Sequence, residues 1–134
     1  MKRKSRFSII SRLESIGYAA RGFRDMLLTE PNAWIHAVFT ILALDLTWWL
    51  RIDRTGTALI VISIVMVWVA EAFNTVLEIM ADLVVTPQRY SRLVKRAKDI
   101  AAGAVLAASA GAFLVGAIIL GPALCQRLGP LLGL

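Results

Sequence analysis

Apolar residues gather in three long runs, at about 32–50, 58–78 and 100–121, separated by short polar stretches. A bilayer core of about 30 Å takes roughly 20 apolar residues as a helix, so each run predicts a transmembrane span. Ahead of them the pattern changes. Ile9, Leu13, Ile16, Ala20, Phe23 and Leu27 recur at spacings of four and three, which is a helical stripe. Arg12, Arg21 and Arg24 lie outside it. This predicts an amphipathic basic helix on the anionic cytoplasmic leaflet. Thr29 and Pro31 suit a cap and a helix start. The expected organisation is therefore all-α: a surface helix over 1–30, a three-span core over 31–121 and a tail over 122–134.

Composition agrees. The chain has 134 residues, 58% of them hydrophobic and 18% charged, with a mean hydropathy of +0.71. A soluble domain of this size could not hide so much apolar surface, which excludes an ordinary cytosolic enzyme and disorder. One cysteine, Cys125, excludes an intrachain disulfide or a cysteine metal cluster. Net charge is +6, and twelve of the fifteen Lys and Arg residues fall in 1–30 and 86–99. Basic loops face the cytoplasm, so both segments should lie inside, with the 51–56 turn outside. No apolar run directly follows the basic N-terminus, so a cleaved signal peptide is not expected. Nucleic-acid binding would also use basic charge, but here that charge sits at membrane boundaries.

Two features stand out within the spans. The third carries small residues at Gly103, Ala107 and Gly111 and at Ala104, Ala108, Ala112 and Gly116, a spacing that lets helices approach closely in lipid. The second ends in Glu71-x-x-Asn74-x-x-x-Glu78-x-x-x-Asp82. At about 100° per residue these four share one face of roughly 80°, and Glu71 lies about 10 Å deeper than Glu78. A carboxylate at that depth costs several kcal/mol unless it is paired, hydrated or protonated. No basic residue is expected at matching depth, which argues against a plain salt bridge. Glu71 is thus placed as a general base.

The topology brings Glu30, Glu78, Lys98 and Asp99 to the same interface. Carboxylates there suit Mg²⁺, which is commonly held by one or two of them plus substrate phosphate oxygens. Phosphoryl transfer then needs a group to take the acceptor's proton, the place Glu71 occupies. The glycine-rich loops of soluble nucleotide sites, GxxxxGK[ST] and GxGxxG, are missing.

The stretch Glu71-x-x-Asn74-Thr75-x-x-Glu78-x-x-x-Asp82 resembles the signature of the prokaryotic diacylglycerol kinases, a family that includes undecaprenol kinases. Gly17-Tyr18, Gly22-Phe23, Glu30-x-Asn32 and Ala97-Lys98-Asp99-x-x-x-Gly103-Ala104 extend the likeness over roughly 7–120. The resemblance implies a lipid kinase of the bacterial cytoplasmic membrane, with its N-terminus inside. It implies ATP and Mg²⁺ as requirements, and homotrimers with active sites shared between neighbouring subunits. It implies Glu71 as the base, Glu30 and Glu78 as metal-binding carboxylates, and Asn74, Asn32 and Asp82 as site-shaping residues. Tyr18, Lys98 and Asp99 match nucleotide contacts, as do Glu30 and Glu78 through the metal. The product would be phosphatidic acid or undecaprenyl phosphate. Glu30-Pro-Asn32-Ala-Trp-Ile-His36 resembles the undecaprenol branch more than the diacylglycerol branch.

Several positions depart from the pattern. Ser11 stands where the family has an arginine, with Arg12 one residue off and carried over on that basis. Gln88, Arg89 and Tyr90 replace acidic and histidine residues in a loop about two residues longer, and the tail after residue 120 lies outside the likeness. His36 reads as a hydrogen-bonded structural group, and Asp45, near the outer interface, has Arg51 or Arg54 as candidate partners. Two other functions compete: a small proton-coupled exporter with an intramembrane glutamate, and a non-catalytic protein that kept the scaffold.

Overall fold

Pro31 sets the first architectural boundary. The residue before a proline is pushed out of the helical region, and Glu30 is extended, with φ −100° and ψ 113°. The computed structural model describes residues 9–84 and 92–132 as four helices: α1 (Ile9–Thr29), α2 (Pro31–Trp49), α3 (Arg54–Val84) and α4 (Arg92–Leu132). α1 and α2 meet at Glu30 with a bend of 105°. Thr29 does not cap α2 as expected. Its hydroxyl turns back into α1 and donates to the Asp25 carbonyl at 3.0 Å. Glu30 occupies the cap position without a side-chain cap bond, and Pro31 starts the helix, where its missing N–H costs nothing.

The turn between α2 and α3 is closed by backbone and one carboxylate. Arg51 takes a left-handed φ of 54°. Its N–H bonds the Trp48 carbonyl and that of Ile52 bonds Thr47, both at 3.1 Å, a helix ending usually built on glycine. Asp53 then caps α3, accepting from the N–H groups of Thr55 at 3.1 Å and Gly56 at 3.3 Å. Asp45 is exposed and forms no ion pair with Arg51 or Arg54.

α3 packs most extensively on α4, and α2 lies against both. The buried apolar set is small: Met26, Ala33, Ile60, Val67, Ala101 and Val105. Met26 sits about 100° round α1 from the expected stripe. Stripe residues Leu13 and Ile16 are exposed. Large apolar side chains also point outward along α3 and α4, among them Phe73, Leu106, Phe113 and Ile118. Surface of that kind needs hydrocarbon or another helix against it. Among the described residues only α3 and α4 are each long and apolar enough to cross a bilayer. α2, interrupted by Asn32, His36 and Asp45, reaches that standard only jointly with α1, so two or three crossings fit where three separate spans were expected. α4 continues as helix through Pro122 and Pro130, taking in most of the tail. The basic residues before Arg12 and the Gln88–Tyr90 stretch lie outside the described side chains.

Candidate active site

The acidic face of α3 forms as its spacing requires, with a gradient of exposure along it. Glu71 is fully buried, at 0% exposure. Asn74 is buried, Glu78 half-buried and Asp82 exposed. Asn74 donates from Nδ2 to Glu78 Oε1 at 3.0 Å, one turn along the same helix. This bond fixes one oxygen of Glu78, and among the described residues the other has no side-chain partner.

The group that meets Glu71 comes from α2. His36 Nε2 lies 3.5 Å from Glu71 Oε2, with both side chains largely shielded. A basic group does therefore stand at the depth of Glu71, contrary to the sequence expectation. The contact joins residues 35 positions apart, and a lone histidine in an apolar run gives no sign of its partner. The imidazole packs edge-on to Trp68, with ring centroids 6.3 Å apart. Trp68 is held by its Nε1–H, which donates to Thr40 Oγ1 at 3.1 Å, and by Phe23, whose ring centroid lies 5.0 Å away. The charges of Glu30 and Glu78 also act on the Glu71 carboxylate. α1, α2 and α3 thus converge on one carboxylic acid.

The other candidates are placed less centrally. Glu30 is half-buried at the α1–α2 junction, and Asn32 is exposed two residues further on. Lys98 Nζ donates to Asp82 Oδ1 at 2.8 Å, tying α4 to the open end of the acidic face. Asp99 turns to Lys95, at 2.7 Å. Tyr18 is exposed, with the Arg21 guanidinium 4.7 Å above its ring, and Arg12 is exposed on α1. The structure thus joins His36 to Glu71 and Asn74 to Glu78, with the charge of Glu30 acting on Glu71. Lys98 and Asp82 form a second pair, about 16 Å along the α3 axis from Glu71.

Two further features bear on ligands. Among the described residues no three His, Cys, Asp or Glu side chains gather into a metal-holding group. Glu30 and Glu78 still fit a hard cation whose remaining ligands come from phosphate, because one oxygen of Glu78 has no side-chain partner among the described residues and both groups reach solvent. Beside His36, a cavity of about 460 Å³ opens between α2, α3 and α4, walled by side chains such as Phe39, Ile60, Ser109 and Phe113.

Comparison with known proteins shows what the chain as a whole is similar to. Residues 17–120 match the family model of prokaryotic diacylglycerol kinases. The match leaves Arg12 and the tail outside. A Synechocystis sp. protein named diacylglycerol kinase is 36% identical over 112 residues, covering 84% of this chain and 63% of that relative. This chain thus spans less than two thirds of that protein's length. A diacylglycerol kinase of Escherichia coli K12 is 29% identical over 108 residues, covering 81% of this chain and 87% of the relative.

Proposed function

Because the chain belongs to the prokaryotic diacylglycerol kinase family, we propose that it moves the γ-phosphate of ATP to the hydroxyl of a membrane lipid alcohol. The observation that carries this reading is Glu71, buried at the deep end of a carboxylate face whose other end is wet. Glu71 takes the proton of the acceptor hydroxyl. The acceptor oxygen then bonds to the γ-phosphorus as the bond to the β–γ bridging oxygen breaks, and ADP leaves. Glu30 and Glu78 would hold Mg²⁺, which supplies charge neutralisation at the phosphates. Asn74 keeps the Glu78 carboxylate oriented, and Lys98, carried over from the family resemblance, contacts nucleotide. Asn32 and Asp82 shape the site, and Tyr18, Asp99 and Arg12 approach nucleotide from the exposed side. The apolar cavity next to His36 suits the hydrocarbon tail of the acceptor.

In this reading α1 lies along the cytoplasmic surface of the bacterial inner membrane with the N-terminus inside, and α3 and α4 cross it. α2, too polar at Asn32, His36 and Asp45 to cross alone, crosses packed against them. The 105° bend at Glu30 supports that change of direction. Homotrimers would complete the site, with neighbours covering the outward face that carries Tyr18 and Asn32. The Glu30–His36 stretch favours undecaprenol as acceptor. The names of the relatives favour diacylglycerol as the second reading.

The test is transfer of radiolabelled γ-phosphate by the purified protein in lipid, with diacylglycerol and undecaprenol offered together and the product identified. Glu71→Gln should lower turnover by on the order of a hundredfold or more without loss of fold. Undiminished turnover in that variant would remove Glu71 from the base role. Proton-driven transport without ATP would replace the kinase reading altogether.

A further inference from the structure

Glu71 must present one oxygen to a substrate hydroxyl, yet its own chain gives it few means of being held. Among the described residues neither oxygen has a hydrogen-bond partner, and the nearby Asn74 donor is directed to Glu78. Facing it are His36 from α2, Glu30 from the α1–α2 junction and Glu78 from its own helix. Two of these repel it. His36 is the one that attracts, and its Nε2 is likewise buried without a hydrogen bond.

We propose that His36 is a positioning residue for Glu71: an Nε2–H aimed at Oε2 fixes the carboxylate so that Oε1 is free to take the acceptor's proton. This rests on the reading of Glu71 as the base. At 3.5 Å the two atoms face each other just beyond an ordinary hydrogen bond. A closure of about half an ångström brings them within ordinary hydrogen-bond range, and catalytic bonds commonly tighten when substrate fills a site. The ring cannot easily turn away. Trp68 packs against it, and Trp68 is itself fixed by Thr40 on α2 and Phe23 on α1. His36 also walls the apolar cavity. It therefore stands where the acceptor's tail would meet the base.

The experiment compares H36L and H36Q in the full-length protein in lipid, with kcat and KM measured for both substrates. H36L should lower kcat roughly tenfold to a hundredfold, the cost of a misplaced reacting group, with both KM values held. H36Q, whose amide can donate to Oε2, should recover much of that loss. In an E71D background, where the shortened carboxylate no longer meets position 36, H36Q should have little further effect. Wild-type kcat in H36L, a change confined to the lipid KM, or full additivity with E71D would each overturn the proposal. If H36L does not fold, the H36Q and E71D comparison decides alone. An inactive E71Q beside a fully active H36L would sink the role of His36 only, whereas an active E71Q would sink the base reading first.

Discussion

Replacing Asn74 with leucine isolates one bond in the site. Leucine is close to asparagine in size but has no hydrogen-bonding group. Asn74 is 5% exposed, and its one described side-chain bond runs from Nδ2 to Glu78 Oε1 at 3.0 Å. Its Oδ1 is buried with no partner among the described residues. The substitution therefore removes an unsatisfied acceptor together with a useful donor, so fold stability should change little. The loss falls on Glu78. A hydrogen bond to a charged group is worth about 1.5–3 kcal/mol. Glu78 is half-buried, so water can replace part of the bond, and the lower figure applies. About 1.5 kcal/mol is roughly tenfold in the population of the correct carboxylate orientation. If Glu78 holds Mg²⁺, that factor appears in metal dependence. Initial rates at saturating lipid and ATP should reach half their maximum at about ten times the Mg²⁺ concentration, while the maximum itself is approached at high Mg²⁺. An Mg²⁺ titration that superimposes on wild type would refute the argument. So would a loss of rate that no Mg²⁺ concentration restores.

Two further outcomes follow from particular contacts. Lys98 pairs with Asp82 where Lys98 is 31% and Asp82 73% exposed, and such a pair is worth about 1 kcal/mol at most. Lys98→Ala should raise the KM for ATP on the order of tenfold, far beyond what loss of that pair would do to the fold; a rise in the lipid KM alone would contradict the nucleotide role. A Cβ at Gly56 would lie 2.7 Å from Ile52 Cγ2, 2.9 Å from Asp53 Oδ1 and 3.2 Å from Ile119 Cγ2. Helix propensity favours alanine by about 0.8–1.0 kcal/mol, but overpacking costs about 1–3 kcal/mol and displaces the carboxylate that caps α3. Gly56→Ala should lower the thermal midpoint in detergent, and a higher midpoint would show that the turn yields.

What the sequence discloses and what it hides divide along one line. Features encoded within a single helix are legible. The acidic face of α3 needed only the helical period, and its gradient from Glu71 to Asp82 follows from distance along the axis. The break at Pro31 needed only the geometry of proline. Features made between helices are not legible. His36 meets Glu71 because α2 packs beside α3 at one particular rotation, and nothing near residue 36 specifies that rotation. Met26 is buried although it lies off the apolar stripe of α1. A stripe read by period reports the apolar medium the helix faces, whether lipid or protein, so it does not identify the residue that enters the core. The small residues of α4 show the same limit. A Cβ at Gly103 or Gly111 would meet no atom of another described helix within 4 Å, whereas Ala101 and Val105, about 140° round α4 from them, are buried.

In the proposed mechanism the spacing of the carboxylates also separates their duties by environment. From Glu71 to Asp82 the helix advances about 16 Å, from full burial to a side chain 73% exposed. A proton acceptor for a lipid hydroxyl must sit where the hydroxyl is, below the head groups and shielded from water. Groups that hold a metal and phosphates must exchange them with the cytoplasm, so they must stay wet. Glu78, one face and two turns from Glu71, is half-buried, with one oxygen anchored and the other without a side-chain partner among the described residues. It lies between those requirements and can link them. Moving the same four residues closer together would drown the base or bury the metal ligands. On this argument the length of the motif, and not only its residue types, determines the chemistry it supports.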